Sequence, residues 1–365
     1  MDSMVEQAEA ERRESVRMIR ESAAGLALRH GDFVRVRALR YADPGYDPAT
    51  WQAMGEQGWI GLRVPEAHGG FGLGMAEACA LAEELGQALA PEPLVAGALS
   101  ARLLAAAGDD SLLPALLEGR SLVLTAWQEV PDSLEAPGTP GAARLFLPQA
   151  AGAETLLVPV AEGGELALYA VPAAGQVLHL QRTQDGGNLG TLVPDLTSAR
   201  RLHGDIGAAM AVALEEAALV TAAGLLGLME RAFAMTLDYL HTRQQFGRPL
   251  DSFQALQHRA ADLRIQIALS RASVEGAARS LDAGTGPDRA SAAVSRAKAR
   301  TAEAAMLITR EAVQMHGAIG YTDEHDIGLF LRKAMVLANA YGSAALHRGR
   351  FLEKADPLAA CAAST

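Results

Sequence analysis

The residues best suited to do chemistry together lie in Arg243-Gln-Gln-Phe-Gly-Arg-Pro-Leu-Asp-Ser-Phe-Gln254. An arginine can grip a phosphate with paired donors, a phenylalanine can pack a flat ring, and a glutamine can bond a hydroxyl or a ring edge. Arg243, Phe246 and Gln254 would together suit a large anionic aromatic ligand. The same letters also fit a plain interhelix turn with one surface arginine. Glu215 and Glu216 form an acidic pair that suits either proton transfer or a solvated first helical turn. Other groups invite less. His241, His258, His316 and His347 share no ligand spacing, so no metal site is expected. Asp323-Glu-His-Asp326 reads as a polar turn and helix cap, and Trp59 and Phe71 read as core residues that could also border a channel.

The elements that must position these residues follow from pattern. Residues 1–119 read as helices: an amphipathic one over Glu11–Leu28, one opened by Tyr46-Asp-Pro-Ala-Thr-Trp51 with Asp47 or Thr50 as cap, one over Met75–Leu89 with Glu83 and Glu84 on its polar face, then Pro93–Ala107 and Ser111–Leu117. Six glycines and a proline between Gly58 and Gly74 mark an irregular segment. Over residues 120–206, short apolar runs at 121–127, 144–147, 155–160, 165–171, 177–181 and 190–193 predict a small β-barrel or sandwich, with a Pro/Gly-rich loop over 130–143. Residues 207–365 return to helix, over Met210–Thr242, Phe253–Ala283, Pro287–Met315 and Asp326–Leu352 with a break near Gly342, as a four-helix bundle would. The fold class is therefore mainly α with a small β domain (α+β).

The chain has 365 residues, half of them apolar, enough for two or three domains. A net charge of −11 and the absence of a Lys/Arg cluster argue against nucleic-acid binding. Cys79 and Cys361 are the only cysteines, which fits a reducing compartment. The charged stretch Met1–Glu21 has no apolar signal core, and no apolar run of membrane length is free of charge or glycine. A soluble cytoplasmic protein is expected.

The order of helices, small β domain and helical bundle resembles the acyl-CoA dehydrogenase family, and three motifs in that order carry the resemblance. Trp51-Gln-Ala-Met-Gly-Glu-Gln-Gly-Trp59 with Val64-Pro-Glu66 and Gly69-Gly70 is similar to the family's N-terminal signature. Arg243-Gln-Gln-Phe-Gly247 with Gln254 is similar to its flavin-binding corner. Ala312-Val-Gln-Met-His-Gly-Ala-Ile-Gly-Tyr321, with Arg332 beyond, is similar to its C-terminal signature. The resemblance implies FAD as cofactor. It places Arg243, Phe246 and Gln254 on a neighbouring subunit's FAD, Gln314 and Gly317 on the adenine and pyrophosphate site across the interface, and Ser343 where the family has a Thr near FAD. It therefore implies a dimer or tetramer with shared FAD sites, an acyl-CoA substrate, and an electron-transfer flavoprotein or other acceptor. Two departures stand out: Ala318 replaces the second of a glycine pair, and the β domain is abbreviated, with Thr125 as the nearest flavin contact and Ala126 where the family has Glu.

The family's reaction forms a trans-2-enoyl-CoA by α-proton abstraction and β-hydride loss, and the base is usually a Glu in a Glu-Gly-Thr segment. A gapless count from Gly320 and Arg332 lands on Tyr341-Gly342-Ser343, so Tyr341 replaces that Glu. A phenol with an ordinary pKa near 10 is a poor base at neutral pH. A minority of the family places its Glu early in the first bundle helix, where the count lands on Ala217. Glu216 would reach the site there only if the helix start is shifted. The chain thus reads as an acyl-CoA dehydrogenase with an unusual base. The alternatives are a non-catalytic or half-catalytic subunit of a heteromer, because Phe253–Asp262 and the short β domain resemble small subunits of that kind, or a flavoprotein of this fold acting on a non-CoA substrate.

Overall fold

The computed structural model describes residues 2–27, 33–137 and 139–355. Its helices are α1 (Asp2–Ala27), α2 (Val34–Leu39), α3 (Pro48–Glu56), α4 (Met75–Gln87), α5 (Leu94–Ala106), α6 (Leu113–Leu117), α7 (Gly207–Thr242), α8 (Gln254–Asp282), α9 (Pro287–His316), α10 (Ile327–Leu337) and α11 (Ala344–Lys354). Its strands are β1 (Val123–Thr125), β2 (Arg144–Pro148), β3 (Thr155–Glu162), β4 (Glu165–Pro172), β5 (His179–Arg182), β6 (Asn188–Leu192), β7 (Arg200–Arg201), β8 (Gln244–Gln245) and β9 (Arg248–Pro249). Leu28, the last residue of the helix expected over Glu11–Leu28, lies outside the described residues, as does Cys361.

The chain forms two compact units. One contains α3, α5, α6, β1–β7 and α7 up to Ala218. Its strands form two sheets, ordered β1-β3-β4-β7 and β2-β6-β5. β1 runs parallel to β3 and the other pairs are antiparallel. Leu156, Leu157, Val158, Leu168 and Val171 fill the interior. Fully buried Arg144 on β2 donates to the carbonyl of Pro159 on β3 at 3.1 Å and pairs with Glu129 at 2.6 Å. Burial lowers its guanidinium pKa. Asp47 caps α3 by accepting from the Ala49 amide at 3.0 Å, and Thr50, the other candidate, donates its hydroxyl to Asp47 at 2.8 Å.

The other unit contains α1, α4, α7 from Leu219, and α8–α11. α9 is its hub, with α8, α10 and α11 packed against it. Ala297, Ala302, Ala305 and Ala312 give α9 a small buried face that admits these neighbours. Glu83 departs from expectation. It is buried rather than on a polar face, because Arg20 of α1 and Arg271 of α8 both reach its carboxylate, at 2.8 and 3.0 Å. These carboxylates, with Glu230, outweigh desolvation and raise the Arg271 pKa. Within the polar turn Asp323–Asp326, the cap of α10 comes from His325, whose Nδ1 accepts from the Ile327 amide at 3.1 Å. α2, β7 and the β8–β9 hairpin carried no period long enough to be seen in the sequence. α7 is apolar and long enough to cross a membrane, but 67% of its most apolar window is buried within the protein.

α4 and α7 approach backbone to backbone. A Cβ on Gly227 would overlap the Glu83 carbonyl, whereas one on Gly224 would meet nothing closer than the Ala82 carbonyl at 3.7 Å. Gly227→Ala is therefore expected to destabilise the fold by about 1–3 kcal/mol through overpacking. Gly224→Ala should be neutral or stabilising by up to about 1 kcal/mol through helix propensity. Denaturant unfolding of the two variants checks the contrast.

Candidate active site

The flavin-type motif folds as a hairpin at the end of α7. The Arg243 amide still bonds the Tyr239 carbonyl at 2.9 Å, and the Arg243 carbonyl accepts from the Leu250 amide at 2.9 Å, closing the corner. β8 and β9 pair through Gln245 and Arg248, so Phe246-Gly247 is a two-residue turn. Both turn residues have positive φ, 54° and 79°, the sign pattern of a type I′ turn. Glycine adopts this readily and phenylalanine does not. The ring of Phe246 is 91% exposed. Beneath it, the Arg248 guanidinium lies 4.0 Å over the Phe253 ring, which meets Phe246 edge-on at 6.2 Å. Arg243 and Gln254 are also exposed.

The end of α9 lies in the same unit. Gln314 and Gly317 are exposed, and Gly317 takes φ 65°, ψ −142°. The positive φ falls on Gly317, and Ala318 has none, so losing the second glycine of the pair adds no backbone strain. The ring of Tyr239, one turn before Arg243, stacks on His316 at 4.5 Å. This contact brings the ends of α7 and α9, and with them both motifs, together. His316 donates from Nδ1 to the Ala312 carbonyl at 2.7 Å, and burial lowers its pKa, which keeps it neutral.

Residue 341 sits in the turn between α10 and α11. Tyr341 has φ 53° and Gly342 φ 96°. Desolvation pushes the Tyr341 phenol well above its ordinary pKa. Ser343 caps α11, accepting from the Leu346 amide at 3.2 Å. In the other unit, buried Glu216 accepts from Arg63 through one oxygen at 2.6 Å and pairs with Arg102 through the other at 3.3 Å. Thr125 is buried there too, its hydroxyl 2.9 Å from that of Ser100. Trp59 is a core residue, while Phe71 is half exposed and packs on Gly58.

Residues 13–119 match the acyl-CoA dehydrogenase N-terminal domain and residues 206–355 the acyl-CoA dehydrogenase C-terminal domain. Over 326 residues the chain is 34% identical to acyl-CoA dehydrogenase IpdE2 of Mycolicibacterium smegmatis, covering 89% of this chain and 94% of that protein. This chain belongs to the acyl-CoA dehydrogenase family. IpdE2 of Mycobacterium tuberculosis is also 34% identical, with 88% of this chain and 91% of that protein covered. Among solved structures, a variant of the Tcur3481-Tcur3483 steroid ACAD superposes with a TM-score of 0.85 at 28% identity, covering 96% of this chain and 99% of that one. The ChsE4-ChsE5 complex of Mycobacterium tuberculosis shares the fold, with a TM-score of 0.83 at 24% identity over 94% of this chain and 98% of that one.

For this family member the donor set suits a dinucleotide. The guanidinium of Arg243, the carboxamides of Gln254 and Gln314 and the ring of Phe246 are displayed to solvent, and a Cβ on Gly317 would meet nothing within 4 Å. Sequence reasoning missed Lys298, His347, Arg63 and Arg102 as groups that hold the candidate positions. Lys298 recurs at helical spacing with Ser291 and Ser295, which was a visible signal. The partners of Arg63 and Arg102 are distant in sequence and left none. Because a non-glycine left-handed residue costs roughly 1–2 kcal/mol, Phe246→Gly should raise stability by up to that amount while lowering FAD retention. Thermal melts and the flavin absorbance of the purified protein read the two effects separately.

Proposed function

We propose that this chain works in the FAD-dependent α,β-desaturation of an acyl-CoA thioester to the trans-2-enoyl-CoA, as a subunit of an oligomer in which its partner supplies the base. The observation that carries this reading is the state of the two candidate bases. The Tyr341 phenol is held protonated by desolvation. Both Glu216 oxygens are already engaged, one by the guanidinium of Arg63 and the other by that of Arg102. FAD, when bound, supplies the acceptor for the β-hydrogen as hydride.

The rest is the work of this chain. Arg243 meets pyrophosphate charge, Phe246 covers a ring face, and Gln254, Gln314 and Gly317 border the adenine and pyrophosphate. Ser343 is a further flavin contact. The backbone N–H of residue 341 meets the thioester carbonyl and so acidifies the α-carbon. Glu216 then has a structural task, holding Arg63 and Arg102 together.

The heteromeric assembly of the ChsE4-ChsE5 neighbour supports a two-chain reading. An electron-transfer flavoprotein is the proposed acceptor, the cytoplasm the proposed location, and 1–119, 120–206 and 207–365 the proposed domains.

The test is to purify the chain alone and with a co-expressed partner, and to follow flavin bleaching by acyl-CoAs. Bleaching is expected only with the partner. Bleaching by the isolated chain that Glu216→Gln abolishes would return the base to Glu216 and overturn the proposal. In the active complex, Tyr341→Phe should leave kcat within about twofold, because a raised phenol pKa leaves almost no phenolate at neutral pH. The pH–rate profile from pH 6 to 9 should keep its shape, and a lost limb would assign proton transfer to Tyr341.

A further inference from the structure

The turn that carries residue 341 is held by a polar stripe on α9. Ser291, Ser295 and Lys298 recur at i, i+4 and i+7, so they share one helix face, and all three are buried. The hydroxyls of Ser291 and Ser295 accept from Arg350 of α11, at 3.0 and 3.3 Å. Ser295 also lies 3.3 Å from Nδ1 of buried His347. The opposite nitrogen of that ring, Nε2, sits 2.8 Å from the Tyr341 carbonyl. A carbonyl only accepts, so Nε2 carries the proton and Nδ1 accepts from Ser295. Lys298 Nζ donates to the carbonyls of Ala338 and Gly342, each at 2.9 Å.

Three carbonyls of one short turn, those of residues 338, 341 and 342, are thus fixed by side chains from two helices. Packing alone does not call for this. Burying an amino group costs several kcal/mol that an apolar side chain of the same length would avoid. The turn also contains two consecutive left-handed residues, one of them a tyrosine, a conformation that persists only where the surroundings over-determine it. A Cβ on Gly342 would lie 2.8 Å from His347 Nε2, so the ring closes tightly on the turn. Peptide planarity makes the consequence directional. With the Tyr341 carbonyl on His347, the Gly342 amide points the opposite way. The N–H of residue 341 belongs to the preceding peptide unit, which lies between the carbonyls of residues 338 and 341 that Lys298 and His347 hold.

We propose that Lys298 and His347 are positioning residues that hold the backbone N–H and side chain of residue 341 in the orientation a bound thioester meets. The proposal rests on the reading that residue 341 borders the reacting thioester. Lys298 and His347 act through the turn and touch no reacting atom.

The test uses the full chain in its FAD-loaded complex, with crotonyl-CoA as probe and CoA alone as control. Lys298→Met and His347→Leu remove donors to the turn. His347→Gln keeps an amide N–H where Nε2 stood. Calorimetry should show CoA affinity within twofold of the parent in every variant. Crotonyl-CoA affinity should fall about tenfold or more in Lys298→Met and His347→Leu, and return to within about threefold in His347→Gln. A merely structural role predicts equal losses for CoA and crotonyl-CoA and no rescue by Gln, and that pattern overturns the proposal. Parent-like crotonyl-CoA binding in the folded, flavin-loaded variants also overturns it. If Lys298→Met fails to fold, the His347 pair decides alone. Amide exchange in the parent tests the underlying reading separately. Residues 339–344 should gain protection with crotonyl-CoA beyond that given by CoA, and no gain would remove residue 341 from the thioester and the proposal with it.

Discussion

Lys298 is buried, and so are the residues whose carbonyls it meets. α10 ends and α11 begins within a few residues of each other, and the backbone groups released between them must be satisfied inside the protein. The amino group of Lys298 does this from a helix whose buried side is mostly alanine, serine and threonine. The rest of the helical unit depends on this arrangement. Small residues let α8, α10 and α11 approach α9, and the polar stripe fixes where the last two are joined. A larger α9 face would separate the helices, and an apolar one would leave the turn unsupported.

Arginine–carboxylate pairing is the second organising device, and it is used inside the protein as well as on its surface. Glu83 and Glu216 are both buried, and each is met by two guanidiniums from other elements. Such clusters are costly to break from one side, because the remaining charge is stranded. They tie distant segments at chosen points.

The sequence made much of this legible, and the exceptions share a cause. The helices α7, α8 and α9 and the β3–β4 pair were read nearly to the residue, because period and turn residues are local signals, whereas α1 begins at Asp2, well before the expected Glu11. The break near Gly342 was visible for the same reason. The burial of Glu83 was not, since Arg20 and Arg271 lie far from it in the chain and the helical period put it on the polar side. The corner at Arg243–Gln254 was read as a helix end and turn, and its strands are too short for alternation to register. The motif residues themselves were visible by type. Lys298 shared a legible helical spacing with Ser291 and Ser295, but what it, His347, Arg63 and Arg102 support was not legible, because support is defined by what a side chain reaches across the fold.

Phe246 carries a consequence for how such a chain lives in a cell. Its ring stands in water on a backbone conformation that phenylalanine disfavours. Covering apolar surface gains about 25 cal/mol per Å2, so whatever covers this ring lowers the free energy of the chain. A free copy is then a form that the cell has reason to shorten in time. Synthesis beside the molecule that covers Phe246 would protect it from adventitious sticking and from surveillance by chaperones.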